Sequence, residues 1–254
     1  MYHSITFVNE NYVGPGGTTR NTWDDWHLVP ASRPVFSPPA LKEHIIDIPG
    51  KDGVLDFTES LTGYPMFERR EGSFEFIVMN GYLEWYTLYS SIGSFLHGHK
   101  LKAILEDVPD EYYEGRFVIS DWKSEKDYSR ITISYKVDPF KWDVQPWSTV
   151  RTVHQPDGLI TVPLILGSLW VIKKDITVTV TGPDVQIHYV YEDDRGIDTT
   201  YYEILEEGTH KINMLDGPIR RELFDSTLQA FYFQGVEGGT TDSTVQVEAR
   251  RGYI

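Results

Sequence analysis

The chain has 254 residues, 40% hydrophobic and 14% aromatic, with no cysteine and a formal net charge of −15. The absence of cysteine excludes disulfides, zinc–thiolate sites and thiol nucleophiles. Both halves are acidic and no Lys/Arg cluster exceeds a pair, which argues against a surface built to neutralise nucleic-acid phosphates.

The length suits one large β domain or two of ordinary size. The 21 Gly and 14 Pro, with many Tyr, Trp and Thr, favour β structure with frequent turns. No apolar run reaches about 18 residues, so no membrane span and no membrane partner are expected. The first residues lack the basic and apolar regions of a signal peptide, so any export is expected to proceed without one.

In chain order, residues 5–13 alternate weakly and read as a strand, and 14–17 as a turn. Residues 22–28 carry Trp23 and Trp26 three apart. They read as core aromatics, or as anchors of a subunit interface. Residues 31–40 are extended, because Pro34, Pro38 and Pro39 remove donors and disfavour helix before each. Residues 42–48 read as a strand, 49–53 as a turn and 54–57 as a further extended piece. Residues 68–79 form another strand, with Phe74, Phe76 and Val78 on one face. The stretch 31–67 is therefore a long excursion between pairing strands. It is either an ordinary long hairpin or an arm that pairs with a neighbouring copy. In the second case the candidate interface residues are Trp23, Trp26, Arg33, Val35, Phe36, Pro38, Pro39, Leu61 and Tyr64.

Residues 81–96 have the helical period, with Trp85, Leu88/Tyr89, Ile92 and Phe95/Leu96 in one stripe and Gly98 as the stop. The period then changes to 2. Leu101, Ala103 and Leu105 alternate with lysines, an acidic turn occupies 107–111, and Phe117 and Ile119 follow. After a turn at 124–128, Ile131, Ile133, Tyr135 and Val137 face one way. A helix feeding an antiparallel meander is expected to form the core of a first domain, residues 1–142.

Residues 138–147 hold two Pro, two Trp and no clear period, and mark the boundary of a second domain, residues 143–254. Seven short β-like runs follow, at 161–166, 176–181, 185–190, 201–205, 211–214, 228–233 and 244–249. Their spacing predicts a β-sandwich or jelly roll.

Little in the chain suggests catalysis. His97 and His99 with Asp107 and Asp110 can be written as a metal site, but Lys100 and Lys102 stand beside them and a polar turn is the plainer reading. The acidic loop 192–196 can be written as the carboxylate pair of a sandwich glycosidase or as a calcium loop. Adjacent loop acids are ordinarily solvated. The sequences GxSxG, HExxH, GxGxxG and GxxxxGK[ST] do not occur, so neither an enzyme nor a cofactor is expected.

A further signal lies in the ordered set Arg33-Pro34, Pro38-Pro39, Ile48-Pro49-Gly50-Lys51-Asp52-Gly53, Asp56-x-Thr58, Leu61-Thr62-Gly63 and Arg69-Arg70. It continues with Leu96-His97-Gly98, the stretch 107–115 with its Tyr pair and Arg116, and Trp122-x-Ser124-Glu125-Lys126-Asp127-Tyr128. Across most of the first ~140 residues this resembles the distal tail (Dit) proteins of long, non-contractile-tailed phages of Gram-positive hosts. The resemblance implies a mainly β protein: an N-terminal β-sandwich or barrel-like domain with one α-helix and an extended arm, plus a C-terminal galectin-like β-sandwich. It implies a homo-oligomer, a hexameric baseplate-hub ring in the virion's tail tip, assembled in the host cytoplasm. The implied partners are the tail tube protein, the tail-associated spike or lysin and a receptor-binding protein, with DNA only in passage. Galectins grip sugar with His-x-Asn-Pro-Arg and a stacking Trp. The second domain has no His-x-Asn-Pro-Arg and no Trp after Trp170. If this domain is instead a carbohydrate-binding module assisting adsorption, Tyr189, Tyr191, Tyr201 and Tyr202 are the candidate stacking residues.

Overall fold

The structure is a computed structural model that describes residues 2–50, 52–60, 65–78, 85–124, 128–156, 158–164, 172–192, 198–212, 230–236 and 241–254. At 172–174, 189–192, 198, 199 and 201 it describes the backbone alone. The chain divides into two compact units, Met1–Lys141 with Ile254, and Trp142–Tyr253.

The first unit holds β1 (Ile5–Val8), β2 (Thr19–Asn21), β3 (Leu28–Pro30), β4 (Ile45–Asp47), β5 (Val54–Asp56), β6 (Arg70–Val78), α1 (Trp85–Leu96), β7 (Lys100–Leu105), β8 (Val108–Ser124) and β9 (Ser129–Asp143). Its main sheet runs β3-β6-β9-β8-β7-β1-β2. Thr22 draws the two ends together. Its N–H donates to the Ile5 carbonyl at 2.9 Å, its Oγ1 accepts from the Ile5 N–H, and its carbonyl accepts from the Leu28 N–H at 2.7 Å. That curls the sheet into a barrel-like shape around Phe7, Trp26, Phe76, Phe95, Phe117 and Ile131.

The helix forms where its stripe predicts. Trp85, Leu88, Ile92, Phe95 and Leu96 are its buried residues, each stabilising by about 1.5–3 kcal/mol of gross transfer energy. Gly98 ends it at φ +77°, a left-handed conformation that suits glycine. The Phe95 carbonyl near the helix end accepts from Asn9 Nδ2 at 2.8 Å.

Two sequence expectations change here. The turn after β7 is the pair Glu106-Asp107, not 107–111, because Leu105 already pairs with Val108. Pro109 to Glu111 lie within β8. Residues 138–143, expected to be aperiodic, continue β9.

The second unit comprises β10 (Trp147–Val153), β11 (Leu159–Pro163), β12 (Ile172–Thr181), β13 (Val185–Glu192), β14 (Asp198–Leu205), β15 (Gly208–Lys211), β16 (Ala230–Gly235) and β17 (Ser243–Tyr253). They form two sheets, β10-β17-β12-β15 and β11-β16-β13-β14. Alternate residues such as Val178, Val180, Ile187, Phe231, Phe233 and Val247 close between them, giving a β-sandwich. The sequence did not mark β10, whose residues are mostly exposed and which is held by its antiparallel register with β17.

Candidate assembly surface

The excursion after β3 has two parts with different physics. The first, residues 31–37, is packed onto the first unit. The Ala31 N–H donates to the Glu75 carbonyl at 2.8 Å. Phe36 is 4% exposed, stacked on Tyr113 with centroids 3.9 Å apart and edge-on to Phe74 and Tyr135. The Ser37 N–H donates to the Tyr135 hydroxyl at 2.9 Å, and Ser37 Oγ donates to the Glu71 carbonyl. Arg70 completes the root. Its Nη1 donates to the Ser37 carbonyl at 3.0 Å, its Nε to the Pro139 carbonyl at 2.7 Å, and its guanidinium lies over the Tyr113 ring. Burial lowers the Arg70 pKa and raises that of Tyr113.

Arg33, exposed, donates from Nε to Asp107 Oδ2 at 2.6 Å, and His3 Nδ1 lies 2.9 Å from Asp107 Oδ1. The Arg33 hydrogen bond first, and the His3 hydrogen bond second, hold the Asp107 carboxyl below the usual range. The neighbouring Glu106 accepts from the Ser4 N–H at 2.8 Å and is lowered by that bond.

The second part is a hairpin with a sheet of its own. Leu41 bridges Phe67, the Lys42 N–H donates to the Met66 carbonyl and the Glu68 N–H to the Ala40 carbonyl. Beyond this base, Ile45, Ile46 and Asp47 of β4 pair with Asp56, Leu55 and Val54 of β5. Gly50 and Gly53 turn the chain at φ +84° and +77°. Lys42, His44, Ile46, Phe57, Thr58 and Met66 line an open groove of about 410 Å³. Its apolar members are solvent-facing, Ile46 at 45%, Phe57 at 39% and Met66 at 41%. A lone two-stranded hairpin is marginal in water, and clustered exposed apolar side chains mark an interaction surface.

The edges of the main sheet are, by contrast, closed to added strands. On β2 the Asn21 N–H donates to Asp25 Oδ2 at 2.7 Å, and the Thr19 carbonyl accepts from Arg20. Edge strand β3 is three residues long and ends in Pro30.

The expected interface residues separate accordingly. Trp26, 2% exposed, and Phe36 are enclosed by their own core. They are corrected to core residues, because an enclosed ring has no area left to cover against a neighbour. The excursion likewise does not leave the body at residue 31 but after residue 37, since Phe36 and Ser37 are tied down. Val35 and Pro38 are exposed and Pro39 is half-buried. Leu61 and Tyr64 lie outside the described residues. Trp23 is half-buried and sits at the surface, with Tyr2 stacked on it at 3.8 Å and His27 edge-on at 5.8 Å. Exposed Asp24 follows it. Sequence reasoning missed Tyr2, Lys42, His44, Ile46, Phe57 and Met66 as surface residues. The run Ile45-Ile46, flanked by turn residues, was the signal available.

In the second unit, Tyr202 is 58% exposed. His188 lies between it and Tyr232, parallel to Tyr232 at 5.0 Å. The side chains of Tyr189, Tyr191 and Tyr201, and the acidic residues Asp193 and Asp194, lie outside the described residues. His97 Nδ1 accepts from the Ile119 N–H at 3.1 Å, and Asp107 is engaged by Arg33 and His3. Among the described residues no three His, Asp or Glu side chains gather as metal ligands. No helix among them is long and apolar enough to cross a membrane.

No family model matches the chain, and no curated protein matches it in sequence. Among solved structures it is similar to the SPP1 Dit (gp 19.1) protein, described as a paradigm of the hub adsorption apparatus in phages infecting Gram-positive hosts. The similarity has a TM-score of 0.57 at 13% identity, over 97% of this chain and 98% of that one. The chain therefore has a Dit-like fold.

Proposed function

We propose that this chain is a structural subunit of a phage tail tip, without catalytic function. Its copies close into a hexameric ring between the tail tube and the adsorption apparatus, the spike or lysin and receptor-binding protein docking on that ring. DNA only passes through. The observation that carries this reading is the mutual coverage of 97% and 98% with the SPP1 hub protein, which spans both units and not merely one common sandwich. The projecting hairpin supports it, because a closed ring needs a surface on each copy that is unsatisfied until the next copy arrives. Electron microscopy of virions carrying a tagged chain tests it. Six-fold ring density at the tail tip is expected. A tag found elsewhere, or absent from the virion, sinks the proposal.

A second reading, glycan binding in aid of adsorption, is favoured by the exposed Tyr202 beside the His188–Tyr232 stack. Binding to host cell-wall glycan that Tyr202→Ala abolishes would support it. Equal binding by both proteins would remove it.

A further inference from the structure

We infer that the groove face of the hairpin in one copy docks on the aromatic shelf formed by Tyr2 and Trp23 of the next copy. This rests on the ring reading and names the surface that receives the arm. Ring closure is head-to-tail, so it requires two different complementary patches on one chain. The first unit offers such a pair. One patch is the hairpin face, with Ile46, Phe57 and Met66 around its groove. The other is the Tyr2–Trp23 stack, in which the Tyr2 ring, 51% exposed, lies over half-buried Trp23. Trp and Tyr carry a disproportionate share of interface energy when covered. Charge matches as well: Lys42 and His44 lie in the hairpin groove, and exposed Asp24 follows Trp23. Strand addition at the nearby β2 edge is not the mode, because the Asn21 N–H and the Thr19 carbonyl are already bonded locally. Side-chain docking is left. The run from Leu41 to Ile48, of which Ile45–Asp47 is strand, reaches at most roughly 23 Å at about 3.3 Å per residue.

The chain has no cysteine, so introduced thiols report the contact without background. Chains carrying Asp24→Cys and chains carrying Ile46→Cys are mixed, assembled and oxidised. The expected result is a disulfide-linked heterodimer in about tenfold excess over the homodimer of either variant alone, as for a contact preferred by roughly 1.4 kcal/mol. Trp23→Ala should weaken assembly about thirtyfold. Lys42→Glu should weaken assembly, and adding Asp24→Lys should restore it. Oligomers that form without the heterodimer and ignore Trp23→Ala overturn the docking site and leave the ring reading standing. A disulfide formed only within single chains carrying both cysteines overturns it as well, in favour of an arm folded on its own body. If purified chains stay monomeric, oxidation is done on tails assembled from both variants. No linked dimers there overturns the docking site, and no chain in the tail tip overturns the ring reading with it.

Discussion

Phe36 lies flat against Tyr113 inside the first unit, with ring centroids 3.9 Å apart, although proline stands at 34, 38 and 39. That contact fixes where the arm begins. Phe36→Ala removes a buried ring and leaves a cavity beside Tyr113, Phe74 and Tyr135. The expected loss is about 3–5 kcal/mol of unfolding free energy by chemical denaturation. A loss under about 1 kcal/mol would mean that the root is not part of the core.

Arg70 should resist its usual conservative replacement. Its fork reaches two carbonyls, of Ser37 and Pro139, and its plane lies over Tyr113. A lysine ammonium has no planar face and cannot hold both acceptors in the same geometry. Arg70→Lys should cost about 1–3 kcal/mol, since it leaves a part-buried carbonyl without its donor. Wild-type stability in that variant would show that the carbonyls are satisfied in some other way.

Removing the hairpin should separate folding from assembly. Replacing residues 42–66 with a short Gly-Ser turn preserves the Phe36 and Ser37 contacts and leaves the groove side chains out. The unfolding midpoint is expected to change little, and self-association measured by native mass spectrometry is expected to vanish. Persisting oligomers would place the self-association surface elsewhere.

How much of this was legible in the sequence depended on whether burial alternated. The α1 stripe and the β6, β7 and β9 alternations were readable because each has one buried and one exposed face. Strand β10 was not, because its stability comes from main-chain pairing with β17 rather than from an apolar face. The hairpin was legible as strand–turn–strand. Its root was misread because proline content signals an extended chain but says nothing about what that chain packs against. Trp23 and Trp26 are equal in sequence terms. One is a surface shelf and the other a core residue, a difference set by contacts distant along the chain, such as Trp26 against Phe95.

Acid should loosen the Asp107 corner. Its folded pKa lies below the ordinary carboxylate value of about 3.9, chiefly through Arg33. A lowered carboxylate pKa contributes stability that is complete above the unfolded value and is lost as pH falls through the folded one. Wild-type and Asp107→Asn proteins should therefore differ in stability at neutral pH and converge in strong acid. Parallel stability curves down to the lowest accessible pH would remove Asp107 from the acid response.

His188 should make the second unit sensitive at a milder pH. Its Nδ1 is buried without a hydrogen-bond partner, and the ring stacks on Tyr232. Burial disfavours the imidazolium and lowers the pKa from the ordinary value of about 6.5. The unfolded chain thus takes up the proton before the folded one does, and stability falls as pH drops through about 6.5 and below. Phenylalanine keeps the flat ring against Tyr232 and removes the titrating nitrogen. His188→Phe should therefore flatten the decline in stability between neutral and mildly acidic pH, measured by denaturant midpoints of the second unit. The unit's other described histidines, exposed His154 beside Asp242 and half-buried His210 on the Glu206 carbonyl, remain in both proteins. An unchanged slope in the variant would remove His188 from the acid response.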